Sequence, residues 1–365
     1  MAKIEMNNIR RDAANVKNQI KGSHSPVVEV FSAMTAGRSL PKYSDGRADK
    51  AVKYIENLYA KADAHDMTAV SEINELRRFA MEPILMQEIN LLSIFSNYRQ
   101  IGYNESCEIE VPSFVGLGAA IQDLGEDVRY PATRLERVPV PTITISAGSA
   151  VDYRKAQIGD MTLENQLQDQ IRVAIRNKAA RYVMETTYNI IKNAGGVKYF
   201  IEDAGLTKTN VDKIIADVRR WGRVNIVGDY ALLAEFNGFA GYQGTTPSVT
   251  GIPDSIMENI HSTGLMGMYN GAVLQEIPNP YDMYTMNEDG DNFATVLPTG
   301  VGYVLPQGMN SPIWTVTRGG LTSFSGNDVT TGNILTRYDL EVGCVIPKGR
   351  EYMIGMIVDT NLTTF

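Results

Sequence analysis

The chain has 365 residues, a formal net charge of −8 and 44% hydrophobic residues. This composition is typical of a globular protein and argues against a disordered chain or a broadly basic nucleic-acid-binding protein. No long apolar window predicts a membrane span, and the polar N-terminus lacks the apolar core of a signal peptide, so we expect synthesis in a cytoplasm. The two cysteines, Cys107 and Cys344, are then expected to be free thiols.

Residues 1–45 have weak periodicity and carry more basic than acidic side chains near their start. Two interpretations stay open, a flexible tail and an arm that lies on a partner or near an anionic polymer. Residues 48–98 follow with apolar residues at helical spacing, and Pro83 is suited to the first turn of a new helix. The basic positions of the arm are Lys3, Arg10, Arg11, Lys17 and Lys21.

A long hairpin is predicted after residue 102. The segments CEIEVPSF and TITISAGSAV, at 107–114 and 142–151, are typical of strands. Residues 112–140 carry Gly and Pro without a sustained period. We therefore expect the two strands to form the stem of a protruding loop, and loops of that length are usually functional or disordered.

The segment TLENQLQDQIRVAIRNKAARYVMETTYNIIKNAGG, residues 162–196, contains no Gly or Pro before Gly195. It predicts one helix of about 50 Å, at 1.5 Å per residue. Its apolar residues recur mostly at every fourth position, without a heptad, so we expect a rod that packs across another element. The apolar stripe is Leu163, Leu167, Ile171, Ile175, Ala179, Val183 and Ile190, and the opposite polar face carries Asn165, Asp169, Arg172, Arg176 and Asn189.

The second half of the chain predicts a mixture of helices and strands. A helix at 210–221 leads to a strand at 224–227 and to a helix that Asp229 opens. A turn at Asn270-Gly271 precedes a further strand, and short strands separated by Gly and Thr fill residues 293–358. The fold class is therefore α+β.

Motifs for catalysis and cofactor binding are missing from the sequence. The three histidines lie far apart, and no phosphate-binding loop, nucleophile elbow or zinc-protease motif occurs. We expect no catalytic residue, cofactor or metal. Acidic pairs such as Glu126 with Asp127 leave open an α+β enzyme that uses two carboxylates.

In the order of its elements the chain resembles the major capsid proteins of tailed bacteriophages, which have the Hong Kong ninety-seven type fold. The matching segments include CEIEVP, the long helix from TLENQ to NAGG, RVNIVGDYALLAEF, IHSTGLMGMYNGAVLQEIP and TRYDLEVGCVIPKGREYMIGMIV. The resemblance implies an N-terminal arm and helical segment at 1–100, an extended E-loop hairpin at 101–151, a peripheral (P) domain at 152–224 and 335–365, and an axial (A) domain at 225–334. The long helix, at about 160–195, would be the spine of the P domain.

The resemblance implies a structural protein of the virion, made in the host bacterial cytoplasm. Its copies would assemble into hexamers and pentamers of an icosahedral capsid around double-stranded DNA. Expected partners are further copies, a portal, and a scaffold or cement protein. The arm would touch DNA without sequence preference, and no membrane is involved.

In this family the E-loop lies over a neighbouring subunit. We expect the E-loop arginines to pair there with acidic side chains. Some members cross-link through an E-loop lysine, but no lysine occurs between Lys61 and Lys155, so that bond is not expected from this loop. Alternatives are an encapsulin-like nanocompartment shell, the paired-carboxylate enzyme and another virion protein such as a tail tube. The proposed subunit-contact residues are Arg129, Arg134, Arg137, Glu126 and Asp127.

Overall fold

A computed structural model describes residues 26–43, 46–64, 66–90, 95–112, 135–151, 162–194, 199–239, 262–287, 290–307, 311–327 and 334–365. Within these ranges the chain has the predicted α+β character. The helices are α1 (Pro26–Thr35), α2 (Arg47–Asp63), α3 (Met67–Asn90), α4 (Thr162–Asn193), α5 (Lys208–Val218) and α6 (Tyr230–Glu235). The strands are β1 (Asn97–Ile101), β2 (Glu108–Pro112), β3 (Leu135–Pro139), β4 (Thr142–Val151), β5 (Phe200–Asp203), β6 (Arg223–Gly228), β7 (Met268–Tyr269), β8 (Ala272–Glu276), β9 (Tyr281–Met286), β10 (Phe293–Thr295), β11 (Val301–Gln307), β12 (Trp314–Asn327), β13 (Ile334–Val345) and β14 (Gly355–Asp359).

The chain divides into two compact units. Helix α4 and strands β4, β12 and β13 contribute residues to both of them. The first unit comprises Met1–Leu91, Ile143–Ala180 and Gly319–Val342, and the second comprises Leu92–Thr142, Arg181–Arg318 and Gly343–Phe365.

Helices α1, α2 and α3 of the first unit enclose a hydrophobic core of their own. Phe31 of α1, Ile55 of α2 and Ile73 of α3 are fully buried in it. The Tyr54 hydroxyl, on α2, donates to the Glu72 carboxylate, on α3, over 2.6 Å. Residues 26–35 are therefore neither a flexible tail nor an arm on a partner, the two interpretations left open above, because the apolar side chains of α1 are buried against the next two helices.

Helix α3 continues through Pro83, so the predicted start of a new helix at this residue is wrong. Proline removes one backbone hydrogen bond from a helix. Met81, Leu85 and Ile89 lie four residues apart and are all buried, and their packing offsets that loss. The predicted helical range also ran to residue 98, whereas β1 begins at Asn97.

Helix α4 confirms the predicted unbroken helix, with 32 residues. The predicted stripe is buried from Ile171 to Val183, but at the end of the helix Ile191 is buried and Ile190 only partly. The buried line keeps its step of four through Thr187 to Ile191, whereas the predicted stripe passed over the polar Thr187 and ended seven residues after Val183, at Ile190. The polar face also differs from the prediction, because Arg172 and Arg176 contact Glu88 of α3, with N–O distances of 3.4 and 3.9 Å.

A six-stranded sheet forms the centre of the second unit, in the order β5-β14-β11-β6-β8-β7. Helices α5 and α6 pack on it through buried residues such as Ile214 and Leu233. Asp229 caps α6 as predicted, since its Oδ1 accepts from the backbone N–H of Ala231 over 2.8 Å. The predicted turn joins β7 to β8, with positive φ at Asn270 and Gly271.

This sheet takes strands from both of the ranges assigned above to the P and A domains. Strand β14, from 335–365, pairs with β11, from 225–334. The assignment of the two domains stays a prediction.

The C-terminal part of α4 is fixed to this sheet through Tyr303 of β11. The Tyr303 side chain is fully buried, and its hydroxyl donates to the Met184 carbonyl over 2.8 Å. The Phe95 ring meets the Tyr303 ring edge-on, with centroids 4.8 Å apart. The C-terminal part of the long helix therefore rests on a sheet that includes β14, the last strand of the chain.

A second sheet has the order β1-β12-β13-β4, and it changes the predicted hairpin. Strand β4 belongs to this sheet, while β2 pairs with β3, a strand that was not predicted. Pro139 ends β3 and Pro141 follows two residues later, and proline cannot donate a ladder hydrogen bond. The two prolines separate β3 from β4, so the stem of the predicted E-loop closes at residues 108–112 and 135–139.

Candidate assembly surfaces

The base of the predicted E-loop is anchored in a small hydrophobic core. Ile109 and Val111 of β2 are buried there with Val140, Ile101 and Val316. Residues 113–134, between the two strands, lie outside the described residues. The register of the stem is therefore set by burial of one face of β2.

The outer face of this stem is exposed and carries opposite charges. Arg137 Nε donates to Glu110 Oε1 of the same chain over 3.1 Å, and the two side chains are 70% and 52% exposed. Leu135 beside them is 64% exposed. Exposed ion pairs contribute at most about 1 kcal/mol, so Arg137 can exchange this partner for an acid on another subunit at small cost.

The other predicted site residues lie outside the described part of the chain. The intersubunit role of Arg137 and of these residues stays a prediction. They are Arg129, Arg134, Glu126 and Asp127 of the E-loop, and Lys3, Arg10, Arg11, Lys17 and Lys21 of the arm.

An exposed apolar hairpin, β9–β10, was missed by the sequence analysis. Tyr281, Met283 and Met286 are 55%, 66% and 52% exposed, and Phe293 opposite Met286 is 38% exposed. The base of the hairpin is held by Asn279, whose Nδ2 donates to Asp229 Oδ2 over 2.8 Å. Side chains alternate along β9, so Tyr281 and Met283 are exposed on one face of the hairpin and Met286 with Phe293 on the other. Large apolar side chains exposed on both faces make the hairpin a candidate contact surface. The signal in the sequence was YDMYTM, where aromatic and Met residues are mixed with polar ones.

The groups with perturbed pKa values in the second unit are explained by packing. Burial raises the pKa of the Cys344 thiol to about 12. Burial, and then the hydrogen bond to Asp212, raise the pKa of Tyr269. Neither Cys107 nor Cys344 is part of a disulfide bond, as predicted. The raised pKa values of Cys344 and Tyr269 are the opposite of the lowered pKa that an activated nucleophile has.

Two carboxyl groups lie against each other where α6 meets the end of β14. Burial, and then the neighbouring Asp359 carboxylate, raise the pKa of Glu235. Burial would raise the pKa of Asp359, but the N–H groups of Asn361 and Gly205, and then Glu235, outweigh it and lower that pKa. Asp359 Oδ2 is buried and has no hydrogen-bond partner among the described residues. Glu235 therefore keeps its proton to a higher pH than an ordinary glutamate.

Metal and membrane sites were sought among the described residues only. They contain no group of three or more His, Cys, Asp or Glu side chains that could hold a metal ion. In the same part of the chain, no helix is both long and apolar enough to cross a membrane.

Comparison with known proteins identifies the family. The family described as "SPbeta prophage-derived putative capsid protein YonB" matches residues 5–358. No curated protein matches the chain.

Solved structures with a similar arrangement are shell proteins of low sequence identity. The capsid of cyanophage P-SCSP1u is 11% identical, with a TM-score of 0.46 over 73% of this chain and 86% of that one. Gordonia phage Cozz is 11% identical, with a TM-score of 0.46 over 74% of this chain and 86% of that one. The holo-SrpI encapsulin complex from Synechococcus elongatus PCC 7942 is 10% identical, with a TM-score of 0.45 over 76% of this chain and 90% of that one.

Each of these TM-scores lies below 0.5, so family membership depends on the sequence match, which spans nearly the whole chain. The resemblance to the capsid proteins of tailed phages is thereby confirmed. This chain belongs to the SPbeta prophage-derived capsid proteins of the YonB family.

Proposed function

We propose that copies of this chain assemble into hexamers and pentamers and form an icosahedral shell around double-stranded phage DNA. The observation that carries the proposal is the match of residues 5–358 to a prophage capsid protein family. The chain would act as a structural component of the virion and not as an enzyme. It would be made in the host bacterial cytoplasm.

The exposed surfaces of the second unit support contacts between copies. The hairpin β9–β10 presents Met283 and Met286 to water, and the E-loop stem presents Leu135. Burial of such side chains against another copy is favourable by about 25 cal/mol per Å² of apolar surface. Individual contacts in a shell are modest, but each subunit repeats them around a closed ring, so they add up.

Charged groups would set the geometry of these contacts. The E-loop arginines, including Arg137, would pair with acids of the adjacent subunit, and the basic N-terminal arm would touch DNA without sequence preference. A portal and a scaffold or cement protein would complete the particle. The division of the chain into a P domain at 152–224 and 335–365 and an A domain at 225–334 is part of the same proposal.

Electron microscopy of the purified full-length chain tests this function. We expect hollow particles in the megadalton range when the chain is expressed together with the portal and the scaffold or cement protein of its phage. Nuclease treatment and analysis of the contents separate DNA from an enclosed enzyme, which an encapsulin-like shell would hold. A stable monomer or small oligomer under all assembly conditions would contradict the proposal.

A further inference from the structure

A basic surface lies at the end of α5 and in the turn that leads to β6. Lys213, Arg219, Arg220 and Arg223 are exposed, and we call these four residues the basic turn. The segment 208–223 has five basic and two acidic residues, whereas the whole chain has a net charge of −8. The positive charge is therefore concentrated at one place on an acidic protein.

The arginines of the basic turn are not neutralised by the described residues around them. Among the described residues, no ion pair engages Arg219, Arg220 or Arg223. The nearby Asp212 already accepts hydrogen bonds from the Tyr269 hydroxyl over 2.7 Å and from the Asn270 amide over 3.3 Å. Within the described chain, no carboxylate forms an ion pair that would compete with an external anion for these three guanidinium groups.

The backbone of the basic turn is held in one conformation. Gly222 has a φ of 155° and its N–H donates to the Arg219 carbonyl over 3.2 Å. A Cβ atom at Gly222 would lie 2.9 Å from the Gln307 carbonyl oxygen, so the two chain segments are close together. The Arg219 guanidinium packs over the turn at Gly271, where a Cβ atom would lie 3.0 Å from Nη1. The charges are therefore carried by a rigid base, which lowers the entropy lost on binding.

An aromatic ring lies within the same surface. Trp221 follows Arg219 and Arg220 and precedes Arg223 by two residues, and it is 46% exposed. Guanidinium groups bind phosphate oxygens in pairs of hydrogen bonds, and indole rings pack on sugars and bases. Arginines beside an exposed tryptophan occur in nucleic-acid contacts and also in protein interfaces, where both residue types are enriched. The excess of basic residues at 208–223 on a chain with a net charge of −8 favours a polyanion such as nucleic acid over another copy of this acidic chain.

We propose that the basic turn and Trp221 bind the phosphodiester backbone of nucleic acid. This surface is separate in sequence from the N-terminal arm and adds a second DNA contact to the shell subunit. Its role inside a particle depends on the proposed function, but the binding itself can be measured on the unassembled chain.

The salt dependence of binding follows from the number of charges. A surface that neutralises about three to four phosphates gives a slope of roughly −3 in a plot of log affinity against log salt. This contribution alone corresponds to a fall in affinity of about 40- to 150-fold between 50 and 200 mM salt, in addition to any contribution of the N-terminal arm. Loss of three arginines should make the slope shallower by roughly 3 and weaken binding by about tenfold or more at low salt, while the contribution of the arm stays.

The experiment measures fluorescence anisotropy of a short labelled DNA duplex, and of one of its single strands, titrated with the full-length chain. The test variant carries Arg219→Gln, Arg220→Gln and Arg223→Gln. The control variant carries Lys50→Gln, Lys53→Gln and Lys61→Gln, because these lysines are exposed on α2 and the net charge changes equally. Circular dichroism and urea midpoints establish that both variants are folded.

We expect the arginine variant to lose about tenfold or more in affinity and the lysine variant to bind almost as wild type. Equal losses in both variants would overturn the inference, because net charge alone would then explain binding. Unchanged DNA binding by the arginine variant together with failed shell assembly would also overturn it and would assign the surface to another copy of this chain. If wild type forms no shells but its DNA binding needs the arginines, the proposed function fails and this inference stands.

Discussion

Replacement of Tyr303 tests how the long helix α4 is fixed to the six-stranded sheet. In Tyr303→Phe the ring stays and only the hydrogen bond to the Met184 carbonyl, 2.8 Å long, is lost. We expect a loss of about 1 kcal/mol in the free energy of unfolding. Tyr303→Leu also removes the edge-on contact with Phe95 and leaves unfilled volume, and should cost about 3 kcal/mol.

Urea unfolding of the unassembled chain measures both losses as shifts of the midpoint at constant slope. Tyr281→Phe is the matched control, because Tyr281 is 55% exposed and should change stability by less than about 0.5 kcal/mol. If both Tyr303 variants stay within about 0.5 kcal/mol of wild type, the contact between α4 and β11 does not have the role assigned to it.

Three further changes test other contacts. The raised pKa of Glu235 means that its protonated form stabilises the folded chain at low pH, and this contribution is lost as pH rises through the folded-state pKa. Glu235→Gln should therefore flatten that part of a series of urea midpoints against pH, and an unchanged curve would refute the raised pKa of Glu235. Arg137→Glu should change the free energy of unfolding in urea by less than about 1 kcal/mol but lower the yield of particles in electron microscopy. A normal yield of particles would count against the contact of Arg137 with another subunit. Gly302→Ala places a Cβ atom 2.5 Å from Leu232 Cδ2 and should cost about 1 to 3 kcal/mol in urea unfolding, whereas Gly238→Ala has no atom within 4 Å of its Cβ and should cost little; equal effects would contradict the close packing of α6 on β11.

The long helix and its buried face could be predicted because their signals are local. The absence of Gly and Pro fixed the extent of α4, and the apolar stripe was correct from Ile171 to Val183. The end of the stripe was misplaced because Thr187 is polar and was left out, although it is fully buried and the step of four continues through it to Ile191. The cap at Asp229 and the turn at Asn270-Gly271 were also correct, since both depend on one or two residues.

Strand pairing was harder to predict because it depends on distant residues. The apolar alternation of β2 fits β3 and β4 equally well, and only the register Ile109 opposite Val138 distinguishes them. Helix α1 was likewise missed, since its burial depends on contacts with α2 and α3 and not on its own pattern. Pro83 was taken as a helix start because the packing that tolerates it is not visible in the local sequence.

The candidate surfaces were only partly visible in the sequence. The charged residues of the E-loop were chosen because of the family resemblance, and only Arg137 of the three arginines lies in the described chain, where it pairs with Glu110. Exposure of Met283 on β9 and of Trp221 beside three arginines is a property of the folded chain. The same residues in the sequence alone are more often part of a core, so three-dimensional placement was needed to recognise these surfaces.

Imaging of the assembled protein by cryo-electron microscopy tests the central claim most directly. We expect closed shells in which α4 is one continuous helix in every subunit and the apolar hairpin β9–β10 and the E-loop stem are covered by neighbouring copies. Purified protein that stays a monomer or small oligomer, or shells in which these two surfaces face only water, would contradict the assignment of the chain as the building block of a capsid.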